Sequence, residues 1–377
     1  MSSKLEKLLH KLKSPQLKHL TFLCGAKSSG LKSDLIERLT ALAAGADTRV
    51  TKPTKSKTQP LILSIDLGIR NLGFSLLSPA TPRKTRSLAS VIPTLLPNAL
   101  REPLPIRLHV WERRDLIPPA PLSLSSSASG QKPDPDLFTP FSLALAADRL
   151  VRQDLLPLKP THILIERQRW RSAGGAAVQE WTLRVNTLEA MLHASLRTLQ
   201  ELGYWGGVIA SVAPDRVTRF WPAAPLTSVL RGKHGGSEGR RSGEGVVVGE
   251  GKSKGRGGSR QNSKKHKIGV LKNWLAREDG SEVILPANQE TEDAVKQFRS
   301  KLTPTRGRKS KTADEGLVTD AGSRKLDDLT DSLLQGVAWL KWEENKKLLL
   351  SAEGIEKLLD SNLLDEQETD TIVDDEV

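Results

Sequence analysis

The chain has 377 residues, 37% of them hydrophobic, which suffices for at least one sizeable core and, by length, for two or three domains. Its 57 Lys and Arg residues outnumber 44 Asp and Glu, so a formal charge of +13 favours an anionic partner, with nucleic acid the first candidate. The single cysteine, Cys24, excludes an intrachain disulfide framework and a Cys-rich zinc site, and no apolar run approaches the length of a membrane-spanning helix.

Residues 1–45 predict a small helical unit, because two apolar-periodic stretches flank a Gly-Ser turn. The first twenty residues are basic and amphipathic, which fits either an organelle-targeting segment or an ordinary helix. Residues 46–60 are polar and lack periodicity, so we interpret them as a linker.

Strand-like runs follow in LILSIDLG, LGFSLLS and RLHVWERRDL. Farther along, a helical pattern precedes the short strand THILIER, and a long helix over 177–202 precedes the strand-like GVIASVAP. The apolar stripe of that long helix could serve a core or a dimer, with a core as the default. Strand runs followed by strand-helix alternation predict an α/β fold, in which helices cover a mixed sheet.

Three later segments lack a core pattern. Residues 231–267 hold 11 of the 29 glycines and 11 basic residues, which predicts a disordered basic insertion. Residues 300–325 predict a second basic linker before a strong final helix. Residues 351–377 hold ten acidic residues and one lysine, which we interpret as a mobile acidic tail. The main domain is therefore expected over 61–350.

Two carboxylates terminate predicted buried strands. Asp66 follows LILSI and precedes Gly68, and Glu166 ends THILIE. An isolated ionised carboxylate in a core is very costly, so each side chain needs a partner. Backbone capping is one explanation for Asp66, and the exit of the strand into solvent is one for Glu166.

Three more acids, Asp327, Asp328 and Asp331, lie on the predicted final helix. They share an arc opposite a stripe of Leu and Val, so a solvated face is the plain alternative to a site. Strand-end and helical acids can converge only where a cation offsets their repulsion. Oxygen ligands without His or Cys suit Mg²⁺ or Mn²⁺, and two such ions about 3.5–4 Å apart would support phosphodiester cleavage.

The order of strand Asp, strand Glu and helix Asp resembles the RNase H-like nuclease superfamily. The motifs IDLGIRNLGFSLL, LIERQRWRS and KLDDLTDSLLQ resemble in particular the fungal mitochondrial Holliday-junction resolvases, relatives of bacterial RuvC. This resemblance implies an RNase H-like mixed five-stranded sheet flanked by helices. It also implies a mitochondrial, metal-dependent endonuclease that resolves four-way DNA junctions during recombination and segregation, working as a homodimer with two active sites.

Carried over residue by residue, the resemblance implies that Asp66, Glu166 and Asp331 are ligands of two Mg²⁺ or Mn²⁺ ions. The fourth acid is less determined. A spacing of three residues from Asp331 favours Asp328, whereas Asp327, four residues away, fits equally well on a helix.

Arginines stand beside both strand-end acids. Arg70 follows Asp66, and Arg167, Arg169 and Arg171 alternate after Glu166, where backbone phosphates would have to lie. A solvated basic loop is the alternative. Trp170, within the same run, would either stack on an unpaired base or, as the default, pack in the core.

The N-terminal unit resembles an SAP-type DNA-binding module in LCGAKSSGLKSDLIERL. That resemblance implies that Leu35, Ile36 and Leu39 form its core, while Lys32 and Arg38 face phosphate.

Two other functions are worth comparing with this one. A kinase or ATPase of the actin and sugar-kinase superfamily also uses DLG after a strand, but it needs Gly-rich phosphate and adenosine motifs, and the only Gly-rich tract here is basic and irregular. A non-catalytic junction-binding or architectural protein would need the basic segments but not the acids. The presence of every acidic position argues against it.

Overall fold

The computed structural model describes residues 2–45, 59–80, 101–117, 135–169, 179–221, 257–276, 283–302 and 315–360. The strands in these ranges are β1 (Ile62–Asp66), β2 (Leu72–Pro79), β3 (Ile106–Arg114), β4 (His162–Glu166), β5 (Val208–Val212) and β6 (Ile284–Pro286). The helices are α1 (Ser2–Lys11), α2 (Ser14–Leu23), α3 (Lys32–Ala43), α4 (Pro140–Arg149), α5 (Glu180–Glu201), α6 (Pro214–Phe220), α7 (Gly257–Leu275), α8 (Gln289–Leu302), α9 (Glu315–Leu348) and α10 (Ala352–Asp360).

The strands form one mixed sheet in the order β5-β4-β1-β2-β3-β6. β1, β2 and β3 form an antiparallel meander, whereas β4 lies parallel to β1 and β5 lies parallel to β4. The predicted mixed α/β sheet is therefore confirmed. The expected count of five is short by one, because β6 adds a short parallel edge strand beside β3.

The alternation of side chains along β1 divides the interior into two cores. Leu63 and Ile65 face a core that α4 and α5 cover, whereas Ile62 faces the core built around α9. Ser64 and Asp66 share the face of Ile62, because side chains two residues apart in a strand point the same way. Along Ile62, Ser64 and Asp66 the strand therefore leads from an apolar residue to a carboxylate, on the face of the sheet on which α9 packs.

α9 crosses this face of the sheet and packs on β1, β2 and β3. On its outer side it contacts α3, α6, α7 and α10. Between Leu326 and Trp342 it is buried on almost its whole circumference, including the polar residues Thr330, Ser332 and Gln335. The helix that carries the three aspartates is thus the centre of one core rather than a surface helix.

The N-terminal helices pack directly on this core. Asn345 on α9 donates a hydrogen bond to the carbonyl oxygen of Leu23, at 2.8 Å. A Cβ added to Gly25, where φ is +67°, would lie 2.2 Å from the indole of Trp342. Leu35, Ile36 and Leu39 are buried as expected. The helical unit is therefore docked on α9, although the predicted linker that follows it lies mostly outside the described residues.

Three predicted boundaries differ from the structure. α7 begins at Gly257, inside the tract 231–267 that was expected to be irregular up to its end. α9 begins at Glu315, inside the expected linker 300–325. α10 occupies the start of the expected tail, where Ile355 is buried against α9 and the N-terminal helices. The remainder of the glycine-rich tract and of the acidic tail lies outside the described residues.

Candidate active site

Asp66 and Glu166 lie side by side at the carboxyl ends of neighbouring strands. β1 and β4 are parallel and pair Ile65 with Ile165, so the next residue on each strand is one of the two acids. Their carboxyl groups lie within interaction distance of each other. Burial, and then the nearby charge of Glu166, raises the pKa of Asp66 well above its usual range.

The aspartates of α9 lie over the same end of the sheet. A Cβ added to Gly73, the partner of Asp66 across the β1-β2 pair, would lie 2.4 Å from the carbonyl oxygen of Asp328. Glycine therefore allows the closest approach of helix and sheet beside Asp66. Charge interactions from both Asp331 and Asp328 also reach Asp66. The aspartates do not form a solvated helix face, the alternative considered from the sequence, since Asp327 is only 8% exposed.

Lysines of α7 neutralise two of these aspartates. The ammonium of Lys267 lies 2.9 Å from Asp331, and that of Lys264 lies 2.6 Å from Asp327. Burial raises the pKa of Asp331 to about 7. The charge of Lys267 opposes this shift, whereas the charges of Glu166 and Asp327 add to it. These partners were not predicted from the sequence, because α7 begins inside a glycine-rich tract and nothing near its lysines identifies an acidic partner.

Asp328 has a different partner on the sheet. Arg113, near the end of β3, donates from Nε to Asp328 at 3.0 Å and from its terminal nitrogen to the side chain of Asn71. Burial raises the pKa of Asp328, although Arg113 opposes the shift. The three helical aspartates are therefore held by one lysine, one arginine and a second lysine, in chain order.

The donor set fits a hard divalent cation. It consists of carboxylates from two strands and one helix, gathered at one end of the sheet without His or Cys. Within the described residues, Oδ1 of Asp327 is buried and accepts no hydrogen bond, which leaves an anionic oxygen without a donor. In the same part of the chain no three such side chains form a ready-made coordination site. The cluster is thus a set of carboxylates whose partners in the structure are two lysines and one arginine.

Two of the predicted arginines flank Glu166 on the surface. Arg167 and Arg169 are exposed, and Arg169 lies 3.5 Å from Asp215 at the start of α6. Between them the backbone amide of Gln168 donates to Glu189 of α5 at 3.0 Å, which fixes the chain where it leaves β4. Arg171 and Trp170 lie outside the described residues.

Arg70 points away from the acids. Its guanidinium lies 3.7 Å from Asp115 and stacks over the ring of Phe138 at 5.6 Å, on the side of the sheet that α4 and α5 cover. It is therefore near the same end of the sheet as Asp66 but directed to the opposite face. Its contact with phosphate stays a prediction.

The two predicted phosphate-binding residues of the N-terminal unit make internal contacts. Arg38 donates to the carbonyl oxygens of Lys27 and Ser29, and so closes the loop between α2 and α3. Lys32 is exposed and its ammonium donates to the carbonyl oxygen of His10 at 2.8 Å. Their roles in DNA binding, like the SAP assignment, stay predictions.

The strand order, the antiparallel second strand and the carboxylates on β1, β4 and α9 define a mixed α/β protein with an acidic cluster at one end of its sheet. Residues 62–349 match the family described as mitochondrial resolvase Ydc2 and RNA splicing MRS1, catalytic domain. The match covers well over half of the chain, and the chain belongs to this family.

Two individual comparisons give similar proteins. The chain is 24% identical over 338 residues to cruciform cutting endonuclease 1, mitochondrial, of Schizosaccharomyces pombe, covering 88% of this chain and 92% of that protein. It also matches the crystal structure of the yeast mitochondrial Holliday junction resolvase Ydc2, at 23% identity and a TM-score of 0.47, over 89% of this chain and 95% of the other. No helix in the described ranges is long and apolar enough to cross a membrane.

Proposed function

We propose that this protein is a structure-selective endonuclease that resolves four-way DNA junctions. The observation that carries the proposal is the gathering of Asp66, Glu166 and the α9 aspartates from three distant parts of the chain at one end of the sheet. Buried like charges are costly, and clusters of them are typical of functional sites. The names of the resolvase and endonuclease relatives support junction DNA as the substrate and the mitochondrion as the location.

Asp66, Glu166 and Asp331, with either Asp328 or Asp327, would hold two Mg²⁺ or Mn²⁺ ions. Ions bound there would supply an activated water and would neutralise charge on the leaving oxygen of a phosphodiester. Lys264, Lys267 and Arg113 would then share their carboxylates with the ions.

The fourth acid is open between two neighbours, and different observations support each. The unpartnered, buried Oδ1 of Asp327 supports Asp327. The spacing of three residues and the charge interaction with Asp66 support Asp328. A comparison of Asp327→Asn with Asp328→Asn in Mn²⁺ titrations of cleavage separates them, because loss of a ligand raises the metal concentration needed for half-maximal rate.

The exposed Arg167 and Arg169 would position backbone phosphates beside Glu166, with Arg171 continuing the run and Arg70 contributing positive charge at the same end of the sheet. Lys32 and Arg38 are the corresponding proposals for the N-terminal unit. Symmetric cutting of a four-way junction requires two active sites, so we infer a two-fold homodimer.

The testing experiment measures Mg²⁺-dependent cleavage of a synthetic four-way junction and of a linear duplex with the same sequence. We expect the junction to be cut at paired positions and the duplex to be cut far more slowly. Asp66→Asn should abolish cleavage and retain junction binding, because it removes one ligand without removing the basic surface. Glu201→Gln, which changes an exposed acid at the far end of α5, is the matched control and should cut normally.

Equal cleavage of both substrates would refute junction selectivity. Normal cleavage by Asp66→Asn would refute the metal site. Tight junction binding without cleavage by the wild-type protein, at any Mg²⁺ or Mn²⁺ concentration, would instead identify the non-catalytic junction-binding protein that is the alternative function.

A further inference from the structure

A buried polar contact joins α9 to β1 directly beside the acidic cluster. The side-chain amide of Gln335 donates to Oγ of Ser64 at 3.1 Å and to the carbonyl oxygen of Ile65 at 3.2 Å. Gln335 is only 3% exposed, and it lies one helical turn after Asp331 on the same side of the helix. Its acceptor Ile65 immediately precedes Asp66. One side chain thus links the segments that carry two of the acids.

The surrounding residues make this a second close approach of helix and sheet. A Cβ added to Gly336 would lie 2.5 Å from Leu77 and 3.2 Å from the Cβ of Ser64. Ser75, which pairs with Ser64 across the sheet, donates its hydroxyl to the carbonyl oxygen of Ser332 at 3.1 Å. The small side chains allow α9 to lie close to the sheet. The hydrogen bonds of Gln335 and Ser75 then select one position of α9 along the strands.

Apolar packing alone would not select that position so narrowly. Leu and Val side chains on α9 can pack against the sheet in several shifted arrangements, whereas a buried amide without its acceptors is penalised in every arrangement but one. The geometry points to Gln335 as a positioning residue: we propose that it fixes the register of α9 along β1, and thereby the distance between Asp331 and Asp66. The inference rests on the proposed metal-dependent cleavage.

Gln335→Met tests the inference, because it removes the amide at nearly constant volume. The matched control is Trp221→Phe, which removes another buried hydrogen bond to α9, from the indole nitrogen to the carbonyl oxygen of Leu334 at 3.2 Å. Mn²⁺ binding is measured by electron paramagnetic resonance in the absence of DNA. Cleavage of the four-way junction is measured over a range of substrate concentrations, which gives kcat and KM.

We expect Gln335→Met to weaken Mn²⁺ binding about 10- to 100-fold, the range known for residues that orient metal ligands. kcat should fall in parallel while KM for the junction stays unchanged, because the DNA-contacting arginines do not depend on α9. Trp221→Phe should match the wild-type protein in all three measurements. Ser64→Ala, which removes one acceptor, should weaken Mn²⁺ binding in the same direction to a smaller extent, and it serves as the test if Gln335→Met does not fold.

Wild-type affinity for Mn²⁺ in Gln335→Met would overturn the positioning role and leave the proposed function intact. Equal losses in Gln335→Met and Trp221→Phe would also overturn it, because they would show a general effect of loosening α9. Absence of both Mn²⁺ binding and cleavage in the wild-type protein would instead overturn the proposed function itself, and with it the role of Gln335.

Discussion

Replacing Asp331 by Asn should stabilise the metal-free protein at neutral pH. Burial among other carboxylates raises the pKa of Asp331 from 3.8 to about 7 in the folded state, a shift of about three pKa units, and each unit corresponds to roughly 1.4 kcal/mol. The folded state binds this proton more tightly than the unfolded state. Its contribution to stability is therefore complete below pH 3.8 and is lost as the pH rises to about 7.

The wild-type protein should accordingly lose about 4 kcal/mol from this group between pH 4 and pH 8, whereas Asp331→Asn should not. The amide oxygen of Asn can still accept a hydrogen bond from Lys267, so this polar contact is kept without the carboxylate charge. Urea denaturation of both proteins in EDTA at pH 4, 6 and 8 measures the difference, and Glu353→Gln, an exposed acid on α10, is the control. A difference in stability that does not change with pH would refute the reasoning.

Three further outcomes are expected. Mg²⁺ at 100 times its Kd should raise the free energy of unfolding of the wild-type protein by about 2.7 kcal/mol, and hence its thermal midpoint, and should leave the thermal midpoint of Asp66→Asn unchanged. An equal rise in both proteins would place the ion elsewhere. Gly73→Ala should lower junction cleavage by up to about 100-fold, because its Cβ would displace Asp328, whereas Gly269→Ala, which has open space, should cut normally; similar rates for the two would contradict the close approach. Gly25→Ala should lower the free energy of unfolding, measured by urea denaturation, by about 1–3 kcal/mol more than Gly45→Ala. Both glycines have positive φ, but only Gly25 lies against Trp342. Equal losses in the two variants would argue against the docked N-terminal unit.

The strand-end acids could be found from the sequence because the signal is local. A short apolar run that ends in Asp66 or Glu166 predicts a buried strand with a carboxylate at its end, and the structure has both. β6 could not be found in this way, because three residues beside a turn carry too little pattern to distinguish a strand.

The surroundings of α9 were not predictable from periodicity. Its Leu and Val residues indicate one apolar face, but Ser332 and Gln335 are buried as well, through hydrogen bonds to the carbonyl oxygen of Leu329 and to β1. The burial of Gln335 depends on Ser64 and Ile65, which are 271 and 270 residues away in the sequence. The ion pairs of Lys264 and Lys267 have the same character, since nothing near them in the chain identifies an acidic partner.

The contact between Ser64 and Gln335 also determines when the protein can become active. These residues are 271 positions apart, and Leu23 and Asn345, which join the N-terminal unit to α9, are 322 apart. At roughly 5–20 residues per second, a ribosome would complete α9 roughly 10–50 s after the strand that carries Asp66. During that interval β1 and the N-terminal helices lack the surface on which they pack. A chain that ends before α9 would hold two carboxylates and no site, so incomplete products of synthesis would be unable to cut DNA.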